Sequence, residues 1–312
     1  MSAVIDVVLP VFALIAAGYA VGRAGVLGDG AQSALNRFTY NMALPALLFI
    51  GMARLPVAEI FDPAFHLAYN LAWFGTFLVA YALDGLIQPR RGADDQAVAA
   101  MAASFPNVGY MGVPLLIFAF GDAGQPPALI AAVLASVVQV PLAMILIQLA
   151  RGGLDRATFV NAFTTPLRSP IVIAPAAGMA VSLFDLPLPT PIAGFADILG
   201  AAAAPCALVS AGMFLVGKPI GGPALETTLR LTALKLFLNP LIAWLCVMTI
   251  APMPPLMATC VILLSALPTG ALVFTMADRY QVFVQGVSST ILASTAISAV
   301  TLSILFALLN PS

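Results

Sequence analysis

Ser104–Pro114, SFPNVGYMGVP, interrupts a long apolar run and sets Pro106, Asn107, Gly109, Gly112 and Pro114 within one short stretch. A proline inside a helix removes a backbone donor and blocks the carbonyl one turn earlier, at a cost of about 3 kcal/mol or more. The glycines let the chain unwind and approach another backbone closely. A second interruption, ALPTG at Ala266–Gly270, follows Pro268 with the Thr269 hydroxyl and with Gly270. Inside a bilayer the N–H and C=O groups freed at such breaks cannot face lipid, so they must line protein or a watery cavity. Whether both breaks lie in a membrane therefore decides what kind of fold this is.

Composition answers that question. Of 312 residues, 62% are hydrophobic and only 8% charged, with a mean hydropathy of +1.05, whereas soluble domains carry about 25% charged residues. Apolar runs of about 20 residues recur along the chain, each long enough to span roughly 30 Å of hydrocarbon, and no alternating pattern suggests a barrel. The reading is an all-α integral membrane protein. Its 12 basic residues are scattered over short loops and form no face for nucleic acid. Cys206, Cys246 and Cys260 sit in apolar segments without CxxC spacing and read as small buried hydrophobes. The first apolar stretch has no positive residue ahead of it and meets its first charge at Asp6, which suits a membrane helix and not a cleaved signal. Catalytic signatures such as HExxH, GxSxG and a phosphate loop are missing, and the single His66 lies near a helix end, so an enzyme is not expected.

Ten transmembrane helices are expected, at 3–23, 32–53, 63–87, 95–120, 127–150, 168–185, 191–216, 225–250, 255–279 and 283–309, joined by short loops such as Val26–Gly30, Pro89–Asp95, Leu186–Pro191, Gly217–Pro223 and Ala251–Pro255. Arg23, Arg37, Arg90, Arg91, Arg151, Arg156, Arg168, Lys218, Arg230 and Arg279 then fall on one face, and Arg54 alone on the other. Cytoplasmic loops hold the excess of Lys and Arg, so a cell-membrane protein with both termini outside is expected. Aligning Pro45 with Pro205, Pro106 with Pro268, and VLASVV at Val133–Val138 with ILASTA at Ile291–Ala296 gives offsets of about 160 residues each time. Each half would hold five helices, and an odd number forces opposite orientations. Two inverted five-helix repeats with broken helices 4 and 9 crossing near the midplane are the plan of secondary transporters.

Helices 4 and 9 run in opposite directions, so their breaks would aim two half-helix amino ends at one point, an anion site without a formal cation. Pro106, Asn107 and Gly109 from one break and Pro268, Thr269 and Gly270 from the other are the candidate binding residues. Asn41, four residues before Pro45 on helix 2, either reaches substrate or satisfies a carbonyl released by Pro45. Ser136, Gln139 and Ser294 would support the crossing or glue helices together. Lys235 is an intramembrane cation, and therefore a candidate counter-ion or gate. It lies about 7.5 Å from Arg230 along a helix and could instead snorkel back to the interface. Asp6, Glu59, Asp62, Asp122, Asp185 and Asp197 lie near the outer face, with Asp84 and Asp278 near the cytoplasmic ends, so no carboxylate pair is available at depth for a proton relay. Carbonyls at unwound helices can coordinate sodium without charged side chains. No cofactor or metal is expected, and Na+, H+ or no coupling ion all stay open.

Three stretches, LNRFTYNMALPALLF at Leu35–Phe49, SFPNVGYMGVPLL at Ser104–Leu116 and SALPTGALVFTMADRYQV at Ser265–Val282, resemble the auxin efflux carrier family, bacterial relatives of plant PIN-type carriers, within a wider group that includes bile-acid sodium symporters. The resemblance implies a scaffold of helices 1, 2, 6 and 7 (residues 1–62 and 168–216) that often forms a homodimer. It also implies a mobile crossover domain of helices 3–5 and 8–10 (residues 63–150 and 225–310) that carries substrate by an elevator-like shift. Asn107 would bind the anion at one crossover, and Thr269 with Gly270 at the other. Thr269 stands where plant carriers tend to place an amide, which puts auxin itself in doubt. The short Arg151–Arg168 connection also lacks the long cytoplasmic loop of many plant members. The expected substrate is a small organic anion such as malate or malonate. The alternatives are a sodium-coupled symporter of bile-acid type and a non-transporting membrane sensor.

Overall fold

A computed structural model describes residues 7–153, 156–217 and 225–309; Asp6, Lys218 and most of the expected Gly217–Pro223 loop lie outside the described residues. In chain order the α-helices are α1 (Leu9–Ala24), α2 (Ala31–Phe38), α3 (Leu44–Arg54), α4 (Val57–Ile60), α5 (Pro63–Ile87), α6 (Ala93–Ser104), α7 (Val113–Phe120), α8 (Gln125–Leu134), α9 (Val140–Ala150), α10 (Arg156–Leu167), α11 (Pro170–Leu183), α12 (Thr190–Ala201), α13 (Ala203–Phe214), α14 (Leu225–Ala233), α15 (Asn239–Thr249), α16 (Pro255–Ser265), α17 (Ala271–Tyr280) and α18 (Val284–Leu309). Among the described residues no strand forms; the one extended pairing is an isolated antiparallel bridge between Pro106 and Thr269. Among the described residues five stretches are long and apolar enough to cross a membrane, Ala58–Ile87, Val108–Ala150, Thr190–Phe214, Leu225–Thr249 and Val284–Leu309, with shorter apolar helices at Leu9–Ala24, Pro170–Leu183 and Pro255–Ser265. The protein is thus an all-helical membrane protein.

Prolines shape these helices in one recurrent way. A π turn ends two residues before Pro45, Pro114, Pro141 and Pro240, at Thr39–Ala43, Val108–Gly112, Ala135–Gln139 and Leu234–Leu238. In each case the residue just ahead of the proline donates five residues back: Leu44 to Thr39, Val113 to Val108, Val140 to Ala135 and Asn239 to Leu234. Widening the turn by one residue gives the pyrrolidine ring room and lets the helix continue. The connection after Arg151, expected as a short loop, contains α10.

Two sets of helices pack among themselves. In one set α1 lies along α13, and α3 along α11 and α12. Backbones touch there: a Cβ on Gly18 would collide with the Val209 carbonyl, and one on Gly212 with the Ile15 carbonyl, the close approach that small residues permit between membrane helices. In the other set α5 packs on α6, α15 and α16, α6 on α9, and α14 on α18. Half-helix α6 is buried on every side from Ala97 to Ser104, and its five alanines, with Val98, Met101 and the small Ser104, allow the helix to be enclosed on all faces. At one end of this set Asp84, fully buried, accepts from Arg91 at 2.8 and 2.9 Å and from Arg230, and Arg91 lies 4.8 Å from the centre of the Phe283 ring. A buried carboxylate persists because two guanidinium groups replace its water.

Candidate functional site

The backbone groups freed by the two breaks can be accounted for one by one. Pro106 has no N–H for the Ala102 carbonyl, and the Thr269 hydroxyl donates to that oxygen at 2.6 Å. Asn107 N–H turns away to the Pro268 carbonyl at 2.9 Å, and Gly270 N–H reaches the Phe105 carbonyl at 2.9 Å. The Ser104 carbonyl, last of α6, accepts from Asn239 Nδ2 at 2.7 Å. The Ser265 carbonyl, last of α16, accepts from Lys235 Nζ at 2.6 Å. Thr269 N–H in turn donates to Ser294 Oγ at 3.1 Å. The two breaks therefore satisfy each other, which is how irregular backbone survives away from water.

What remains unsatisfied faces open space. At the amino ends of the second halves, the N–H groups of Gly109, Tyr110, Ala271 and Leu272 have no helical turn ahead of them to accept their hydrogen bonds. A cavity of about 40 Å³ lies against these ends, lined by Pro106, Asn107, Gly109, Tyr110, Gly270, Ala271 and Leu272, with Tyr40, Leu44 and Ser136 opposite. Asn107, Tyr110 and Ala271 also line a cavity of about 180 Å³ on the side of α1, α2 and α13, where Gln32, Asn36, Ser210, Thr275 and Thr295 add polar groups. Tyr40, Ser136 and Leu272 continue into a third space of about 290 Å³ that ends at Arg279 and Tyr280. The Asn107 amide, half-buried, makes no hydrogen bond with a described residue. Tyr110 OH donates to Asn36 Oδ1, which leaves the Asn36 amide donors for the cavity. The first two cavities hold donors and no formal charge in their lining. That arrangement suits an anion held by N–H and O–H groups at helix ends.

Of the residues singled out in the sequence, Pro106, Asn107, Gly109, Gly270 and Ser136 line one cavity. Pro268, Thr269, Ser294 and Lys235 lie in the crossing, where their polar groups are engaged with other backbone or side-chain groups. Thr269 is fully buried, so its hydroxyl clamps α6 and does not line the cavities. Lys235 does not snorkel: it is fully buried. Asn41 and Pro45 are not brought to the site. Asn41 is exposed and donates to the Arg37 carbonyl at 2.8 Å, while Pro45 is buried within α3. Gln139 is fully buried beside the Tyr69 hydroxyl and lines none of the three cavities. His66 bonds the Ile60 carbonyl at 2.8 Å at the start of α5.

The residues missed were Gln32, Asn36, Tyr40, Tyr110, Thr275 and Thr295. Asn36 and Tyr40 belong to the same motif as Asn41, and the π turn at Thr39–Ala43 explains the misassignment. One extra residue in the turn rotates Tyr40, five positions before Pro45, onto the face that a regular helix gives to Asn41. Pro114, four residues beyond Tyr110, and Pro45, five residues beyond Tyr40, were the available signals.

Comparison with known proteins points the same way. The family model described as membrane transport protein matches residues 3–306. A protein of Rhizobium meliloti (strain 1021) named "Putative malonate transporter" is 30% identical over 306 residues, covering 97% of this chain and 95% of the relative. An "Uncharacterized transporter" of Methanothermobacter thermautotrophicus is 28% identical over 300 residues, covering 95% of each. Escherichia coli (strain K12) has the "Uncharacterized transporter YfdV", 24% identical over 245 residues and covering 75% of this chain and 74% of the relative.

Proposed function

Since the chain belongs to the membrane transport protein family, the auxin efflux carrier group that its motifs resemble, we propose that it is a secondary transporter of a small organic anion, with a dicarboxylate such as malonate as the first substrate to try. The observation that carries this reading is the unpartnered Asn107 amide at the junction of two cavities, beside the amino ends of the Val108–Gly112 turn and α17. A carboxylate there would accept from Asn107 Nδ2 and from main-chain N–H groups, and among the described residues no carboxylate lines either cavity to repel it.

In this reading the chain is a ten-helix protein of two inverted repeats. α1–α3 and α11–α13 form the scaffold, and α5–α9 with α14–α18 form the domain that carries the site across it. Asn36 and Tyr110 would then meet across the sliding boundary, and their hydrogen bond would break and re-form in each cycle. The positive-inside bias puts Arg279, and with it the third cavity, on the cytoplasmic side, with both termini outside. The exposed Phe195 and Ile198 of α12 would supply the contact of a homodimer.

Thermal unfolding of the purified protein against a panel of carboxylates tests the ligand class. Malonate or a close dicarboxylate should raise the melting temperature and an equally small diamine should not. Stabilisation by the amine in place of the acids would refute an anion site.

A further inference from the structure

Lys235 and Asn239 lie one turn apart on a single helical run, and each holds the last carbonyl of one broken half-helix, Ser265 of α16 for Lys235 and Ser104 of α6 for Asn239. Carboxyl ends of helices carry partial negative charge. In carriers built with discontinuous helices, such ends and unwound carbonyls are where a coupling sodium ion is coordinated. Here the amino group of Lys235 occupies that position, fully buried, and none of the ion pairs among the described residues involves it. Among the described residues its hydrogen bond goes to a helix end and not to a side chain.

We propose that Lys235 is a tethered cation that holds the crossing together in place of a bound sodium ion, so that the protein binds and carries its anion without sodium. This rests on the transporter reading. It makes Lys235 a positioning residue, acting through α16 on the site, since the lysine lines neither the two cavities at Asn107 nor the third that continues from them.

The full-length protein, purified in detergent, should unfold at the same temperature in equal concentrations of sodium, potassium and choline chloride. Lys235→Ala should unfold at a lower temperature and recover part of the loss, saturably, with ethylammonium or sodium but not with choline, which is too large for the vacated space. A purely structural lysine would show no such choice among cations. A saturable, sodium-specific stabilisation of the unmodified protein overturns the proposal, as does a Lys235→Ala variant that is indifferent to small cations. If that variant cannot be purified, Lys235→Gln keeps a donor for Ser265 and takes its place, and the sodium titration of the unmodified protein still decides. In proteoliposomes, malonate uptake should proceed at equal rates with sodium and with choline outside. Uptake only with sodium overturns the proposal, whereas absence of uptake in both media contradicts the transport reading and leaves the titration to judge Lys235.

Discussion

Replacing Thr269 with valine keeps the volume and branching of the side chain and removes one hydroxyl. That hydroxyl is the partner of the Ala102 carbonyl, at 2.6 Å, and Pro106 cannot replace it because it has no N–H. Leaving a buried acceptor unpaired costs about 1–3 kcal/mol, and hydrogen bonds between membrane helices measure about 0.6–2 kcal/mol, so the loss should fall near 1–2 kcal/mol. Thr269→Ser, which keeps the donor, should lose less than half of that. The assay is equilibrium unfolding in detergent for stability, with isothermal titration of malonate for binding. We expect lower stability and an unchanged affinity in the fraction that remains folded, because Thr269 lines neither cavity beside Asn107. Undiminished stability with a large loss of affinity would show instead that the hydroxyl serves the ligand, and the clamp would be refuted.

The other expectations follow from burial. Asp84→Ala leaves two buried guanidinium groups without their carboxylate and should cost about 3–5 kcal/mol, read as a large drop in melting temperature or failure to accumulate. Arg54→Ala breaks a two-pronged ion pair with Asp197 at 2.7 and 2.9 Å, yet both side chains are about half exposed (56% and 45%), so the same measurement should move by less than about 1 kcal/mol. Gly270→Ala would set a Cβ 2.9 Å from the Pro106 carbonyl oxygen and should cost about 1–3 kcal/mol by overpacking. Gly109→Ala would make only an ordinary contact at 3.6 Å with Leu44 and should keep its stability; equal losses in the two glycine variants would contradict the crossing described above.

How much of this could be read from the sequence depended on whether a residue's role was local. Pro106 and Pro268 mark breaks wherever they occur in an apolar run, and their shared offset with Pro45 and Pro205 paired them before any coordinates existed. The unpartnered Asn107 was legible because a polar residue between a proline and a glycine has few uses inside a membrane. Depth and facing were not legible. Lys235 looked able to reach the interface because the sequence does not show that its partner is the Ser265 carbonyl thirty residues away. Thr269 looked like a ligand because the carbonyl that takes its hydroxyl lies on another helix, 167 residues earlier. Asn41 reads as the partner of Pro45 because four residues make one turn of a regular helix, and the π turn at Thr39–Ala43 changes that phase without any change in residue pattern.

The most direct test of the central claim is uptake of labelled malonate by proteoliposomes containing either the unmodified protein or Asn107→Ala. The substitution removes only the amide at the junction of the cavities and should leave the melting temperature in detergent unchanged. An anion site at Asn107 predicts saturable uptake by the unmodified protein and its loss in an equally folded variant. Equal uptake by the two would contradict it.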